Sequence, residues 1–270
     1  MKPMRLNLLL AGVIAAVLLP ASITTKAAPG SESAPGVATN VVSKKSSPSR
    51  TTSEDAVIRN LHAMGLINGQ TNIFRCACPV MDVAEQMKTV RPTEADLKLA
   101  RERMQRLRDL GIRTVISFQH QEPPSPNETN VEHIAVALEQ TAAKDVGLTY
   151  IAYPMSNKGK DSFEDMSDDA VMKLLDPISE EIFRLATNGG VVFHCKSGKD
   201  RTGIMAGYLR IKYQHWTADE AIAEMRRYGH AWNRFAPNGA TNSWHENHLR
   251  VVAATLNPPA PSDAPEPRSH

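Results

Sequence analysis

One stretch of the chain constrains its fold more than any other. A short apolar run, Gly190–His194 (GVVFH), leads through Cys195-Lys-Ser-Gly-Lys-Asp into Arg201-Thr202-Gly203 and then into an apolar-periodic segment. The run suits a strand at the centre of a parallel sheet, and the periodic segment predicts a helix from about Thr202 to Gln214. The loop must therefore turn strand into helix within a few residues. Its five residues between Cys195 and Arg201 suffice to wrap one tetrahedral anion, with backbone N–H groups of the loop and of the helix start pointing inward. Gly198 allows positive φ or close backbone approach, and Arg201 carries the planar fork that binds phosphate oxygens in pairs.

The field that would hold an anion also acts on Cys195. A thiol at a helix N-terminus beside an arginine has its pKa lowered from about 8.5 into the range of roughly 3.5–7.5. It is then a thiolate at neutral pH and a ready nucleophile. In-line attack on phosphorus would form a cysteinyl-phosphate, with the loop amides and Arg201 holding the developing charge. The Thr202 hydroxyl is placed to stabilise the departing thiolate when water breaks that intermediate.

The remaining pattern is that of an α/β layered domain. Strands are expected at Asn72–Ala77, Arg113–Phe118 and Leu148–Tyr153, in addition to the run before Cys195. Thr93 with Asp96 predicts a capped helix that stops at Gly111, and Thr217 with Glu220 a second one that stops at Gly229. Further helices are expected over Val131–Lys144, Asp169–Thr187 and Asn242–Leu256, with a kink or break at Pro177. Gln119–Asn127, with three prolines, and the polar stretch Pro154–Asp168 read as loops.

Composition narrows the function classes. At 41% apolar and 22% charged, the 270 residues are ordinary globular material. Between residues 56 and 256 there are 24 basic and 24 acidic residues, so the net charge of +2 comes from the ends. A neutral core argues against general nucleic-acid binding. Three cysteines exclude a disulfide framework, and Cys76-x-Cys78 has no zinc spacing. His245 and His248, spaced i, i+3, do not form the zincin pattern. No metal site and no cofactor are expected.

The ends are read separately. Lys2 and Arg5, the apolar run Leu6–Leu19, Pro20 and the small residues after it form an export-signal pattern over residues 1–27, with an uncleaved anchor as the alternative. The apolar run is short for a stable membrane span. Residues 28–55 are rich in Ser, Thr, Pro, Gly and Ala and read as a flexible linker. Residues 56–256 form the folded domain, and 257–270 are a disordered Pro-rich tail. The domain is thus expected outside the cytoplasm, in a periplasm or secreted.

His194-Cys195-x5-Arg201-Thr202 resembles the signature loop of the cysteine-based protein tyrosine phosphatase superfamily. About Asn72–Tyr228 is similar to its bacterial, dual-specificity-like branch, with supporting marks at Phe74-Arg75, Pro79, Leu110–Ile116, Tyr153-Pro154-Met155 and Trp216. The resemblance implies a central mixed, largely parallel sheet flanked by helices, and a metal-independent phosphomonoesterase. It assigns His194, Cys195, Arg201 and Thr202 to catalysis, and Lys196, Ser197, Gly198, Lys199, Asp200 and Arg201 to the phosphate. It also requires an acidic residue on an earlier loop as general acid. Asn157 occupies the position usual for that acid, so Asp161 is favoured, with Glu164 and Asp165 as the other candidates in the loop.

Two lysines in the loop are also similar to those of phosphoinositide phosphatases and favour a polyanionic substrate. Three readings follow: a phosphotyrosine or dual-specificity protein phosphatase, an inositol-phosphate or phosphoinositide phosphatase, and a non-catalytic phosphate-binding module. In the resembling folds the Asn72–Ala77 strand ends near the phosphate loop, and alternation puts Cys76 and Cys78 on one face of it. Both or neither therefore look toward Cys195. Either could trap an oxidised Cys195 as a disulfide, or both are small buried hydrophobes.

Overall fold

The computed structural model describes residues 58–87, 91–120, 131–155, 165–231 and 243–258. The export-signal segment, the linker and most of the Pro-rich tail lie outside these residues. Among the described residues no helix is long and apolar enough to cross a membrane.

Five strands form one sheet in the order β1-β2-β5-β3-β4. They are β1 (His62–Ala63), β2 (Ile73–Ala77), β3 (Ile112–Ser117), β4 (Thr149–Ala152) and β5 (Gly190–Cys195). Only β1 runs antiparallel to its neighbour; β2, β5, β3 and β4 are mutually parallel. The sheet is therefore mixed and largely parallel. β5 lies between β2 and β3, and all six of its residues are buried, as its unbroken apolar sequence requires of a strand covered on both faces.

Helices cover the two faces in separate groups. One core packs the sheet against α4 (Asp168–Ala186), α5 (Arg201–Gln214), α6 (Ala218–Arg227) and α7 (Trp244–Leu256), through Val191, Phe193 and Cys195 of β5. The other packs it against α1 (Met81–Gln86), α2 (Glu94–Asp109) and α3 (Val131–Asp145), through Val192 of β5 and both Cys76 and Cys78. The helix that follows the Cys195 loop is central: every residue from Arg201 through Ile211 is buried. α6 and α7 pack tightly on it because Gly203 and Gly207 carry no side chain. A Cβ at Gly203 would lie 2.6 Å from Met225 Cγ, and one at Gly207 2.9 Å from the Leu249 methyls.

Both expected capping boxes form, Thr93 with Asp96 and Thr217 with Glu220. Strand and helix limits lie within one or two residues of those expected. Two elements had no sequence signal. β1 is two residues long, and α1 is a single short helix whose N-cap, Val80, makes no side-chain cap bond. Pro177 neither kinks the chain into a new element nor ends α4, which is continuous across it. The lost N–H bond is tolerated because Val171 and Leu175 before it and Ile178 and Ile182 after it are buried in the same core.

The α2 face has a direct stability consequence. Leu107 is fully buried, so Leu107→Ala should destabilise the domain by about 2–5 kcal/mol. A urea unfolding midpoint that drops at unchanged slope checks it; an unmoved midpoint would show that α2 does not pack as described.

Candidate active site

The site sits at the C-terminal end of the central strand, where open α/β sheets place their ligands. Cys195 ends β5 and Arg201 opens α5, so the loop between them is the whole connection. Its shape follows from where its carbonyls go. The Cys78 N–H donates to the carbonyl oxygens of Cys195 at 2.9 Å and Lys196 at 3.2 Å. Asn60 Nδ2 donates to the Ser197 carbonyl at 2.9 Å. Arg75, wholly buried on β2, donates through Nη2 to the Gly198 carbonyl at 2.9 Å. Four successive carbonyls are thus bound from outside. Because each trans peptide points its N–H opposite to its C=O, the amide side of the loop is turned inward, as an anion-binding concavity requires.

Gly198 makes this turn sterically accessible. Its φ is +70°, and a Cβ there would meet the Cys76 carbonyl oxygen at 2.5 Å. The backbone of β2 is therefore the floor on which the loop rests.

Cys195 is buried at the end of its strand. Burial by itself would push the thiol up. The Arg201 guanidinium, with the hydroxyl and backbone N–H of Thr202 beside the sulfur, outweighs burial and holds the thiol below its ordinary range. Arg201 in turn is fixed by acceptors on other elements. Its Nη1 donates to the carbonyls of Phe118 at 3.1 Å and Met155 at 3.2 Å. Its two Nη atoms also face the Glu132 carboxylate of α3 at 3.1–3.2 Å. Burial raises the Glu132 pKa, but Arg201, the His120 N–H and Lys196 together outweigh it and hold Glu132 below the usual carboxylate value.

The other loop residues separate by environment. Lys196, Ser197 and Lys199 are half-buried, and Gly198 and Asp200 are buried. Lys199 passes over Gly229 at the end of α6, its Cε 3.0 Å from where a Cβ would stand. Asp200 does not cap α5 with its side chain. It faces His230 Nδ1 at 2.7 Å instead, and His230 Nε2 lies 3.0 Å from Ser243 Oγ at the start of α7. Arg226 and Glu246 close this network with bonds of 2.8 and 2.7 Å. The last residue before α5 is thereby tied to two later helices.

The structure brings His194 and Cys195 through Thr202 together. Asp161 and Glu164 lie outside the described residues, and Asp165 is exposed just before α4. Of the two readings of Cys76 and Cys78, the strand register favours the buried one. Cys76 pairs in register with His194 and Ala77 with Cys195, and side chains alternate along a strand. Both cysteines consequently enter the α1–α3 core, whereas Cys195 belongs to the opposite one. Burial pushes both thiols well up. The geometry is that of small buried hydrophobes and does not support them as redox partners. His248 is bound to Asp168 across 2.8 Å.

Glu132, His230, Ser243, Asn60 and Glu139 were not singled out from sequence. Two signals were available: an arginine inside the apolar strand IFRCA, and a glutamate at a core position of α3, between Leu138 and Ala142. Neither names its partner.

The chain is similar to several known proteins. The model of the family described as "Tyrosine phosphatase family" matches residues 88–211, which include the whole Cys195–Arg201 loop. The dual specificity protein phosphatase TpbA of Pseudomonas aeruginosa (strain UCBPP-PA14) is 46% identical over 41 residues, which are 15% of this chain and 19% of that protein. The crystal structure of P. aeruginosa TpbA is 18% identical, with a TM-score of 0.40, over 75% of this chain and 99% of that one. The core catalytic domain of the PP-IP phosphatase SIW14 from S. cerevisiae is 16% identical, with a TM-score of 0.40, over 72% and 85%.

Gly198→Ala tests the loop geometry. It forces a side chain into a left-handed position at a cost of roughly 1–2 kcal/mol, beside the close approach to Cys76. Tungstate affinity, measured by calorimetry, should fall more than about tenfold. Undiminished affinity would mean that the loop does not rest on β2 in this way.

Proposed function

We propose that the domain, whose residues 88–211 match the tyrosine phosphatase family, is a cysteine-based phosphatase that hydrolyses phosphomonoesters through a cysteinyl-phosphate, acting as a phosphotyrosine or dual-specificity protein phosphatase. One observation carries the reading. A buried thiol is held toward its thiolate by Arg201 and Thr202, at the start of a loop in which the carbonyls of residues 195–198 are bound from outside.

The steps follow from that arrangement. The Cys195 thiolate attacks phosphorus in line, forming the S–P bond as the P–O bond to the leaving group breaks. Loop amides and Arg201 hold the three non-bridging oxygens, which gain charge in the transition state. The departing oxygen takes a proton from a general acid, for which Asp161 is our assignment. Water then attacks phosphorus, giving a proton to the carboxylate left on that acid, and the S–P bond breaks; inorganic phosphate is released and the Cys195 sulfur departs as a thiolate stabilised by Thr202. No metal enters these steps.

The relative named a dual specificity protein phosphatase supports a phosphoprotein substrate. Lys196 and Lys199, half-buried in the loop, support the second reading, an inositol phosphate or phosphoinositide, since they add positive charge beside the bound phosphate. Initial rates on phosphotyrosine peptide, inositol phosphates and phosphoinositides decide between them. The N-terminal basic, apolar and small-residue order supports an exported, periplasmic or secreted location.

Cys195→Ser should abolish turnover of an aryl phosphate yet keep tungstate binding, while Arg201→Lys should lose both because lysine offers only a point charge. EDTA should leave the rate unchanged. Turnover by Cys195→Ser would remove the mechanism and favour a non-catalytic role for the loop.

The pH profile supplies a further check. With its thiol below the ordinary range, Cys195 should remain active into mildly acidic solution and lose activity as pH falls through its own pKa. Asp161→Asn should lower kcat by roughly 10²–10⁴-fold and flatten the basic limb. A silent Asp161→Asn moves the acid to Glu164 or Asp165.

A further inference from the structure

Four of the described helices start in the same way. Thr93, Ser167, Thr217 and Ser243 stand before α2, α4, α6 and α7 in extended backbone, and each side-chain oxygen accepts the N–H three residues on. α5 departs from them. Asp200 stands before it, and aspartate is among the strongest capping residues. Yet its side chain makes no cap bond, and its ψ is −74°, against +154° to +167° at the other four.

A cap here would collide with the chemistry. The helix ladder of α5 begins with the Ile204 N–H, which donates to the Asp200 carbonyl at 2.9 Å. The N–H groups of Arg201, Thr202 and Gly203 precede the ladder and have no partner within the helix. The Thr202 N–H lies beside the Cys195 sulfur, and a helix start is where a bound phosphate draws its donors. A capping Asp200 would take the Thr202 or Gly203 N–H and set a carboxylate in the same place.

His230 holds Asp200 elsewhere. α6 ends in a Schellman turn: with Gly229 at φ +94°, its N–H donates to the Arg226 carbonyl at 2.9 Å and the His230 N–H to the Met225 carbonyl at 3.2 Å. Met225 is seated on Gly203 of α5, so the turn fixes His230 beside the loop. The ring is fully buried, with Asp200 Oδ1 2.7 Å from Nδ1 and Ser243 Oγ 3.0 Å from Nε2. A carboxylate accepts hydrogen bonds and does not give them, so Nδ1 carries the proton. Ser243 Oγ also accepts the Glu246 N–H at 3.3 Å, which ties the ring to the cap of α7. Glu246, 3.6 Å from Nε2 and bound by Arg226, and the His245 ring at 5.3 Å also stand around it.

We propose that His230 is a positioning residue for phosphate binding: it takes the Asp200 carboxylate away from the start of α5 and so keeps the loop in the conformation that admits an anion. Without it the chain has a competing state, in which Asp200 turns to extended backbone and caps α5 as the other four helices are capped. That state fills the site with the chain's own anion, and the apparent affinity for a ligand falls by the fraction of molecules left open. This role rests on the reading of the loop as a phosphate site, but not on which phosphate ester is the substrate.

The test uses the full chain, with tungstate as the probe. His230→Leu should weaken tungstate binding about tenfold by calorimetry, which corresponds to an open fraction near one-tenth. With an aryl phosphate, KM should rise by a similar factor while kcat at saturation holds. His230→Asn, which keeps an N–H near the place of Nδ1, should recover most of the affinity. Asp200→Ala supplies the background that separates competition from mere structure, since alanine neither caps nor carries charge. There His230→Leu should change tungstate affinity by less than about twofold. Long-range nitrogen–proton NMR of the wild-type chain should show His230 Nδ1 protonated near neutral pH.

Undiminished tungstate affinity in folded His230→Leu overturns the proposal. So does an equal loss in the Asp200→Ala background, which would make His230 a packing residue only. A bare Nδ1 in the wild type overturns it even if His230→Leu does not fold. A wild type that binds no tungstate removes the phosphate site and this role together. One that binds tungstate and turns over no phosphate ester would instead remove the phosphatase reading alone.

Discussion

The parallel pairing of β2 with β5 is the constraint from which the site descends. It sets Ala77 beside Cys195, so the next residue, Cys78, can donate its backbone N–H to the first two carbonyls of the loop. The same strand supplies Arg75 to the Gly198 carbonyl and the backbone against which Gly198 lies. A loop of five residues cannot satisfy its own carbonyls while keeping its amides directed at a ligand. It needs an outer wall of donors, and β2 with Asn60 provides it. Moving β2 by one residue would interchange its two faces, taking Arg75 out from under the loop and exchanging it for Cys76.

Electrostatics at the site form a chain of compensations. Burial opposes the Cys195 thiolate, and Arg201 with Thr202 overcomes it. Arg201 is itself buried, so it needs acceptors, which Glu132 and the carbonyls of Phe118 and Met155 supply. Asp200 places an anion within the loop, where it works against the thiolate; His230 draws that carboxylate toward α7. Arg201 and Asp200, the two charges that act on Cys195 here, each have a partner on a different element. Removing one partner leaves the other buried and uncompensated, which costs several times more than a surface pair is worth.

These partners explain why the flanking helices matter to the chemistry. α3 holds Arg201 through Glu132 near its first turn and meets His194 through Glu139 two turns later. α6 and α7 approach α5 through Gly203 and Gly207 and bring Arg226, Glu246 and Ser243 around His230. The loop is thus braced from both faces of the sheet, by α3 on one side and by α6 and α7 on the other.

Much of this was legible in the chain itself. The apolar run into Cys195, the glycine at 198 and the periodic segment after Arg201 determine strand, turn and helix locally. The Thr93–Asp96 and Thr217–Glu220 boxes mark helix starts by short-range hydrogen bonds alone. Such features depend on neighbours within a few residues, and a linear reading detects them. The partners of the buried charges do not: Glu132 and Arg201 are 69 residues apart, Arg75 and Gly198 123, and Asn60 and Ser197 137. The destination of Cys76 and Cys78 was open for the same reason. Alternation put them on one face together, but only the register of β2 against β5 decided that this face was the one away from Cys195. Sequence determines which groups must be paired once they are buried; the packing of the sheet and its helices decides with what, because a buried charge finds its partner by proximity in space.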